Sequence, residues 1–305
     1  AELQKCQLEN GYLSAFPEEQ FNRLERGEKA WVPWYTLHKI LSGITVVYEK
    51  LGKEIENAKY VMEQLATWVS GRANKWDSKL KKQVLATEYG GMNDVMFEIY
   101  RITQKEEYLK AACQFEELDL FTEIKEGNDI LNNKHANTTI PKFLGAVNHY
   151  MATGETFYLE AAESFFQIVE KHHTYITGGN SEWEHFGLPG ILDKERTNCN
   201  CETCNTHNML KLAERLYQIT GKKQYMDYYE NTIINAILAS QNPETGMSMY
   251  FQPMATGYFK VFSRPYEDFW CCTGTGMENF TKLQEGIYYK DREEENKIYI
   301  NQYIS

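Results

Sequence analysis

Four stretches of this chain share one plan, and that repeat most limits what it can fold into. Residues 43–69, 93–121, 143–169 and 208–238 each open with an apolar stripe that ends in a tyrosine: Tyr48, Tyr100, Tyr150 and Tyr217. The apolar positions recur at three- and four-residue spacing, the period of a helix with one buried face. A two-residue turn follows, LG, TQ, TG and TG in order, and then a second stripe, as in EYLKAA and FYLEAA. Gly is a favoured helix stop, so the turns break each segment in two. The unit is a helical hairpin, repeated every 50 to 67 residues. That period exceeds the common solenoid repeats, and the excess lies in long loops. Helical hairpins joined by long loops predict an all-α toroid, with inner helices around a cavity and loops building a site at one end. A plain helical solenoid is the alternative.

The loops favour the toroid. Residues 135–141 (HANTTIP), 177–187 (TGGNSEWEHFG) and 197–205 (TNCNCETCN) are polar and rich in catalytic residue types. Function concentrates on such loops when a rigid scaffold holds them. Residues 247–262 read as a β-hairpin inserted between helices, and 277–289 as a helix. The last segment, KIYINQYIS at 297–305, alternates apolar and polar residues and predicts a strand without a nearby partner. The expected division is therefore a helical domain over 1–296 and the first strand of a truncated β domain over 297–305.

The 305 residues carry a net charge of -11, which argues against a nucleic-acid partner, because phosphate binding needs a basic surface. No apolar run approaches eighteen residues, so no membrane span or membrane partner is expected. No signal peptide is visible, but the chain opens without Met, so secretion stays open. Free thiols favour a reducing compartment, and on that ground a cytoplasmic location is preferred. The oligomeric state is not legible. Aromatics reach 14%; they suit sugar-binding faces, although core packing is their commonest use.

Seven cysteines stand at 6, 113, 199, 201, 204, 271 and 272. The number is odd and the chain long, unlike a disulfide scaffold. Cys6 and Cys113 stand alone and read as core or incidental thiols. Spacing alone drafts Cys201, Cys204, Cys271 and Cys272 as a four-thiolate zinc site. Unliganded buried thiols are the alternative; a Cys271–Cys272 disulfide would be strained. The GTG at 274–276 could supply the turn that lets neighbouring cysteines share a metal. The helix expected after it would lower their thiol pKa. In WEHF, Glu184 sits among aromatics, where partial burial would raise its pKa toward a general acid; a solvated loop carboxylate is the bland reading.

GYLSAFPE (11–18), WVPWYTLHKILSG (31–43), EYGGMND (88–94), HANTTIPK (135–142), TGGNSEWEHF, CETCNT and CCTGTGMEN together resemble glycoside hydrolase family 127 and its relative family 146, largely β-L-arabinofuranosidases. The resemblance runs nearly end to end. It implies an (α/α)6 barrel followed by β-sandwich domains, of which only a first strand would be present. It also implies a carbohydrate substrate and Zn as cofactor, and it revises the ligand set to Glu202, Cys204, Cys271 and Cys272, without Cys201 or Cys199. Cys271 becomes the implied nucleophile and Glu184 the implied acid and base, about 5–6 Å apart as in retaining glycosidases. His38, His135 and Tyr250 fall in stretches matching the family's sugar contacts, with Glu88 and Asn93 as weaker matches. His38 also reads as a core histidine, and EYGGMND as a helix-start turn. His207, one turn past Cys204, is placed to support the ligand shell. Hydrolysis of another sugar on the same machinery, or a binding module with a structural zinc, are the competing functions.

Overall fold

A computed structural model describes residues 2–52, 55–294 and 296–303. Its helical stripes stop at the turn residues of the repeat. α3 (Pro33–Leu51), α6 (Met92–Thr103), α9 (Ala136–Thr153) and α11 (Thr203–Thr220) end at Gly52, Gln104, Gly154 and Gly221. All four have positive φ, between 52° and 80°. Each turns its N–H back onto the carbonyl of the repeat's tyrosine: Tyr48, Tyr100, Tyr150 and Tyr217. This is a left-handed helix cap. In the last three repeats the preceding threonine reinforces the stop. Thr103, Thr153 and Thr220 donate their hydroxyls to carbonyls four residues back, at 2.7–3.0 Å. The paired helices follow at once: α4 (Glu56–Ala73), α7 (Glu106–Gln114), α10 (Thr156–His172) and α12 (Gln224–Thr232).

The chain divides into two compact units, one of residues up to 122 with 141–162, the other of 123–140 with 163 onward. In the first, α3 packs on α4 and α6, and α7 on α4 and α6. Short helices α1 (Glu2–Cys6), α2 (Glu19–Glu25) and α5 (Ser78–Leu85) also belong to it. Its centre is aromatic. Phe21, Trp34, Trp68, Trp76 and Phe115 interlock at centroid distances of 4.7–5.9 Å, mostly edge to face. Core packing thus absorbs three of the six tryptophans. The second stripe of residues 93–121 is interrupted: α7 stops at Gln114, and α8 (Leu118–Lys125) begins after it.

In the second unit, α11 packs against α12 and against α13 (Cys271–Thr281). α12 relaxes into a π turn over Ile233–Ile237. Several expectations change here. Residues 135–141 are not a loop: α9 begins at Ala136 and accommodates Pro141 within it. Residues 247–262 form no hairpin ladder among the described residues, only a bridge between Met249 and Phe262. The helix expected through 289 ends at Thr281. Beyond it β1 (Tyr288–Lys290) pairs antiparallel with β2 (Ile298–Ile300), so the terminal strand has a partner close in sequence. Among the described residues no helix is long and apolar enough to cross a membrane.

Candidate active site

Three thiols of the second unit stand on the first turns of two helices. Cys204 is the second residue of α11; Cys271 and Cys272 are the first two of α13. A helix start exposes unpaired N–H groups and the positive end of the dipole, which favours thiolate. The GTG at 274–276 is therefore helical, and a helical turn rather than a loop lets the adjacent pair face one point. Gly276 serves packing: a Cβ there would lie 2.8 Å from Ser248 Cβ. Glu202 is the N-cap residue of α11, yet its side chain caps nothing and turns toward the thiols.

Cys204 Sγ lies 3.2 Å from Cys272 Sγ, and Glu202 Oε1 lies 3.6 Å from Cys272 Sγ and 3.9 Å from Cys271 Sγ. The four donor atoms fall within 4.8 Å of one another, a group that could hold a metal ion. Three of the four residues are buried and Cys271 alone is exposed. Burial pushes Glu202 and Cys272 up from their ordinary pKa values, and Cys204 is raised with them. Cys271 is drawn far down, because the Cys204 and Cys272 thiols hydrogen-bond to it. Cys201 stands outside the group, although spacing had drafted it. It is fully buried with its side chain against Gly179, and burial raises its pKa.

Glu184 is held in a turn whose sequence opposes it. Glu182 and His185 exchange N–H···O bonds of 3.0 Å, and between them Trp183 and Glu184 have φ of 45° and 67°. Two successive positive φ values suit Asn and Gly, not Trp and Glu. Such strain persists only where surroundings impose it. Here the Glu184 carbonyl accepts the Ala136 N–H at the start of α9 (2.7 Å), and the Trp183 N–H donates to Cys199 O (2.9 Å). The Glu184 carboxylate accepts a short hydrogen bond from the Tyr250 hydroxyl and lies 3.6 Å from His135 Nε2. Its pKa is lowered, not raised as burial alone predicted. The His135 and Tyr250 donors outweigh desolvation. Tyr250 is pushed up by burial and by Glu184, so it stays a donor.

The Tyr250 hydroxyl also lies 3.7 Å from Cys271 Sγ. Adding a normal O–H···O length bounds the distance from Sγ to Glu184 Oε1 at about 6.5 Å. Glu184, His135, Tyr250 and the donor group that includes Cys271 thus lie together in the second unit. His207 lies apart from the thiols and braces the helices that carry them: Nδ1 is 2.6 Å from Asn279 Oδ1 and Nε2 is 3.5 Å from Glu278, both on α13. His207→Ala is expected to destabilise the protein by about 1–3 kcal/mol, the cost of stranding buried polar groups. Calorimetry measures the loss.

The other candidates lie in the first unit. His38 is buried, edge-on to Tyr35 at 4.9 Å and tight against Gly90 and Gly91. Asn93 is fully buried on α6, donates to Lys142 O (3.0 Å) and presses on Gly145. Glu88 is half-buried before the Gly91 N-cap, so EYGGMND is a helix-start turn.

The family description "Beta-L-arabinofuranosidase, GH127 catalytic domain" matches residues 1–285. The chain belongs to the GH127 catalytic-domain family. No curated protein matches it. Among solved structures, a GH127 β-arabinofuranosidase superposes with a TM-score of 0.75 at 20% identity, covering 99% of this chain and 49% of that one. A GH127 β-L-arabinofuranosidase from Geobacillus stearothermophilus T6 gives 0.73 at 15%, covering 99% and 53%. An α-1,6-mannanase of family GH76 from Salegentibacter sp. gives 0.52 at 16%, covering 81% and 71%. These likenesses show the fold, the all-α (α/α)6 barrel class. This GH127 chain spans about half the length of the first solved structures it matches. Sequence reasoning missed the Tyr250 hydroxyl's position between Glu184 and Cys271, and the His207–Asn279 brace. Neither has a local signal, since the partners are 21 to 72 residues apart.

Proposed function

We propose that this chain is the catalytic domain of a retaining glycoside hydrolase that releases L-arabinofuranose from β-L-arabinofuranosides. The observation that carries the reading is the Tyr250 hydroxyl, which touches Glu184 on one side and approaches Cys271 on the other. Cys271 is the exposed member of the donor group, so it is the sulfur a sugar can reach. Its thiolate attacks the anomeric carbon while Glu184 passes a proton to the departing oxygen. The C–O bond breaks as the C–S bond forms. Glu184, now a carboxylate, takes a proton from water, which attacks the same carbon and returns the thiolate. Two displacements retain configuration. The 5–5.5 Å carboxyl separation of retaining enzymes falls inside the bound set by Tyr250.

The residues fit a zinc ion. Four ionisable donors crowd one place, three of them buried, and among the described residues Glu202 Oε2 is buried without a hydrogen-bond partner. Without a cation such a set cannot ionise together. Glu202, Cys204, Cys271 and Cys272 would hold Zn²⁺, a soft-ligand set that suits it. When bound, zinc keeps the coordinating sulfur deprotonated at neutral pH. The Glu202 carboxylate is the harder donor, able to shift as Cys271 turns to the sugar. His135 and Tyr250 orient Glu184, and both are placed to meet sugar hydroxyls.

Metal analysis of the purified protein is expected to give about one zinc per chain. Chelation should lower the unfolding temperature and remove activity, and added zinc should restore both. A metal-free protein that hydrolyses β-L-arabinofuranosides at full rate would refute the reading. A purely structural zinc would call for Cys201 as a ligand, and Cys201 lies outside the donor group.

A further inference from the structure

Glycoside cleavage orients a substrate by its acid: the leaving group lies on the side of the residue that protonates it. Next to Glu184 the second unit holds a cavity of about 420 Å³, within the range of small-ligand sites. Its wall includes Trp183, Tyr250, Phe251, Tyr258, Phe259 and Trp270, and among the described residues no charged side chain lines it. Two of these precede the reacting residues in the chain: Trp183 stands before Glu184 and Trp270 before Cys271. Tyr250 joins cavity to chemistry. Its hydroxyl meets Glu184 and Cys271, while its ring packs on Phe251 at 4.5 Å and Trp270 at 5.7 Å. Several wall residues also present broad ring surface to solvent: Trp183 is 61% exposed and Phe259 81%. Apolar surface grouped in this way around a reacting centre marks a binding face.

Resting on the arabinofuranosidase reading above, we infer that this cavity receives the leaving-group part of the substrate and selects for a flat C–H or aromatic face. A second sugar ring and an aromatic alcohol share that chemistry, since both stack on tryptophan and tyrosine faces. Charged leaving groups are disfavoured, because the wall offers no counter-charge to offset their desolvation.

The test pairs the wild type with a Tyr258→Ala, Phe259→Ala double variant. Both residues are exposed and neither belongs to the catalytic set, so truncation strips ring surface without opening the core. Three substrates are compared: methyl β-L-arabinofuranoside, phenyl β-L-arabinofuranoside and a disaccharide with L-arabinofuranose at its non-reducing end. Taking the wild-type to variant ratio of kcat/KM within each substrate cancels differences in leaving-group acidity. The expected ratio is about tenfold for the disaccharide or the phenyl glycoside and below about twofold for the methyl glycoside. Loss on the disaccharide alone assigns the cavity to a sugar, and loss on the phenyl glycoside alone assigns it to an aromatic alcohol. Equal ratios for all three substrates overturn the proposal. Tryptophan fluorescence titration of the Cys271→Ser variant, which lacks the nucleophile of the first step, gives a readout without turnover. There the disaccharide or the phenyl glycoside should bind about tenfold more tightly than the methyl glycoside, and the added double substitution should erase the difference. Equal binding of all three overturns the cavity assignment. Preferential binding without hydrolysis by the wild type supports it and counts against the proposed reaction alone.

Discussion

Cys271→Ser is expected to lower kcat on β-L-arabinofuranosides by about ten-thousand-fold or more while leaving the helical circular dichroism signal in place. Three features of the residue combine to give so large an effect. It is the exposed sulfur of the donor group, it begins a helix, and its pKa is drawn far below the ordinary thiol range by the Cys204 and Cys272 thiols. A serine hydroxyl keeps nearly the same shape but not the nucleophile, since an alcohol stays protonated where a thiol ionises. Losing the nucleophile of a two-step mechanism removes nearly all of the catalysis. The control is Cys201→Ser. Cys201 is just as much a cysteine of the CETC motif, but it packs against Gly179 outside the donor group. It should lose some stability, because a buried hydroxyl replaces a buried thiol, and keep its turnover. Single-turnover mass spectrometry adds a direct check: a pentosyl adduct should map to the peptide holding Cys271. Full activity in Cys271→Ser, or loss of activity in Cys201→Ser at unchanged fold, would reverse the assignment.

That contrast shows what the sequence can and cannot reveal. The hairpins are legible because their stops are local: a left-handed Gly or Gln, a threonine bonding back one turn and a tyrosine carbonyl all lie within five residues. Strand β1 is not. Tyr288 and Tyr289 fall at the end of the helix expected over 277–289, and only pairing with Ile298–Ile300 distinguishes them from helix. The polar composition of 135–141 suggested a loop, whereas α9 begins within it at Ala136 and tolerates Pro141 five residues further on. In the site, residue types pointed to metal and acid chemistry, but spacing drafted Cys201, which stands outside the donor group that Glu202 joins. CETC offers two thiols three apart, and the first residue of the motif, Cys201, has a φ of 50° and a side chain packed on Gly179. The strained turn at Trp183–Glu184 left no positive signal in the sequence. It shows only as a local rule broken close to the donor group.

Glu184→Gln is expected to slow hydrolysis of alkyl and sugar glycosides by about a thousandfold, within the range for general acid–base catalysis. Aryl glycosides should behave differently. Their leaving groups depart without a proton, so the first step stays fast and the second, which needs a carboxylate to activate water, becomes limiting. A burst of about one equivalent of aryl alcohol per active site should precede slow turnover. The pH profile tests the environment of the same residue. In the free site the His135 and Tyr250 donors hold the Glu184 pKa below the ordinary carboxylate value, against the opposing effect of burial. Glycosylation needs the protonated form, so kcat/KM for a poor leaving group should fall about tenfold per pH unit above that pKa. His135→Ala removes the donor with the largest lowering effect. Burial then acts with less opposition, the pKa rises, and the protonated fraction extends to higher pH. The alkaline limb of kcat/KM should therefore move upward in pH, even though the rate maximum falls through lost sugar contacts. A histidine that only positioned the sugar would lower the whole profile without moving its limb. A limb that shifts downward would mean that His135 instead keeps Glu184 protonated, and that the carboxylate is stabilised by some other group.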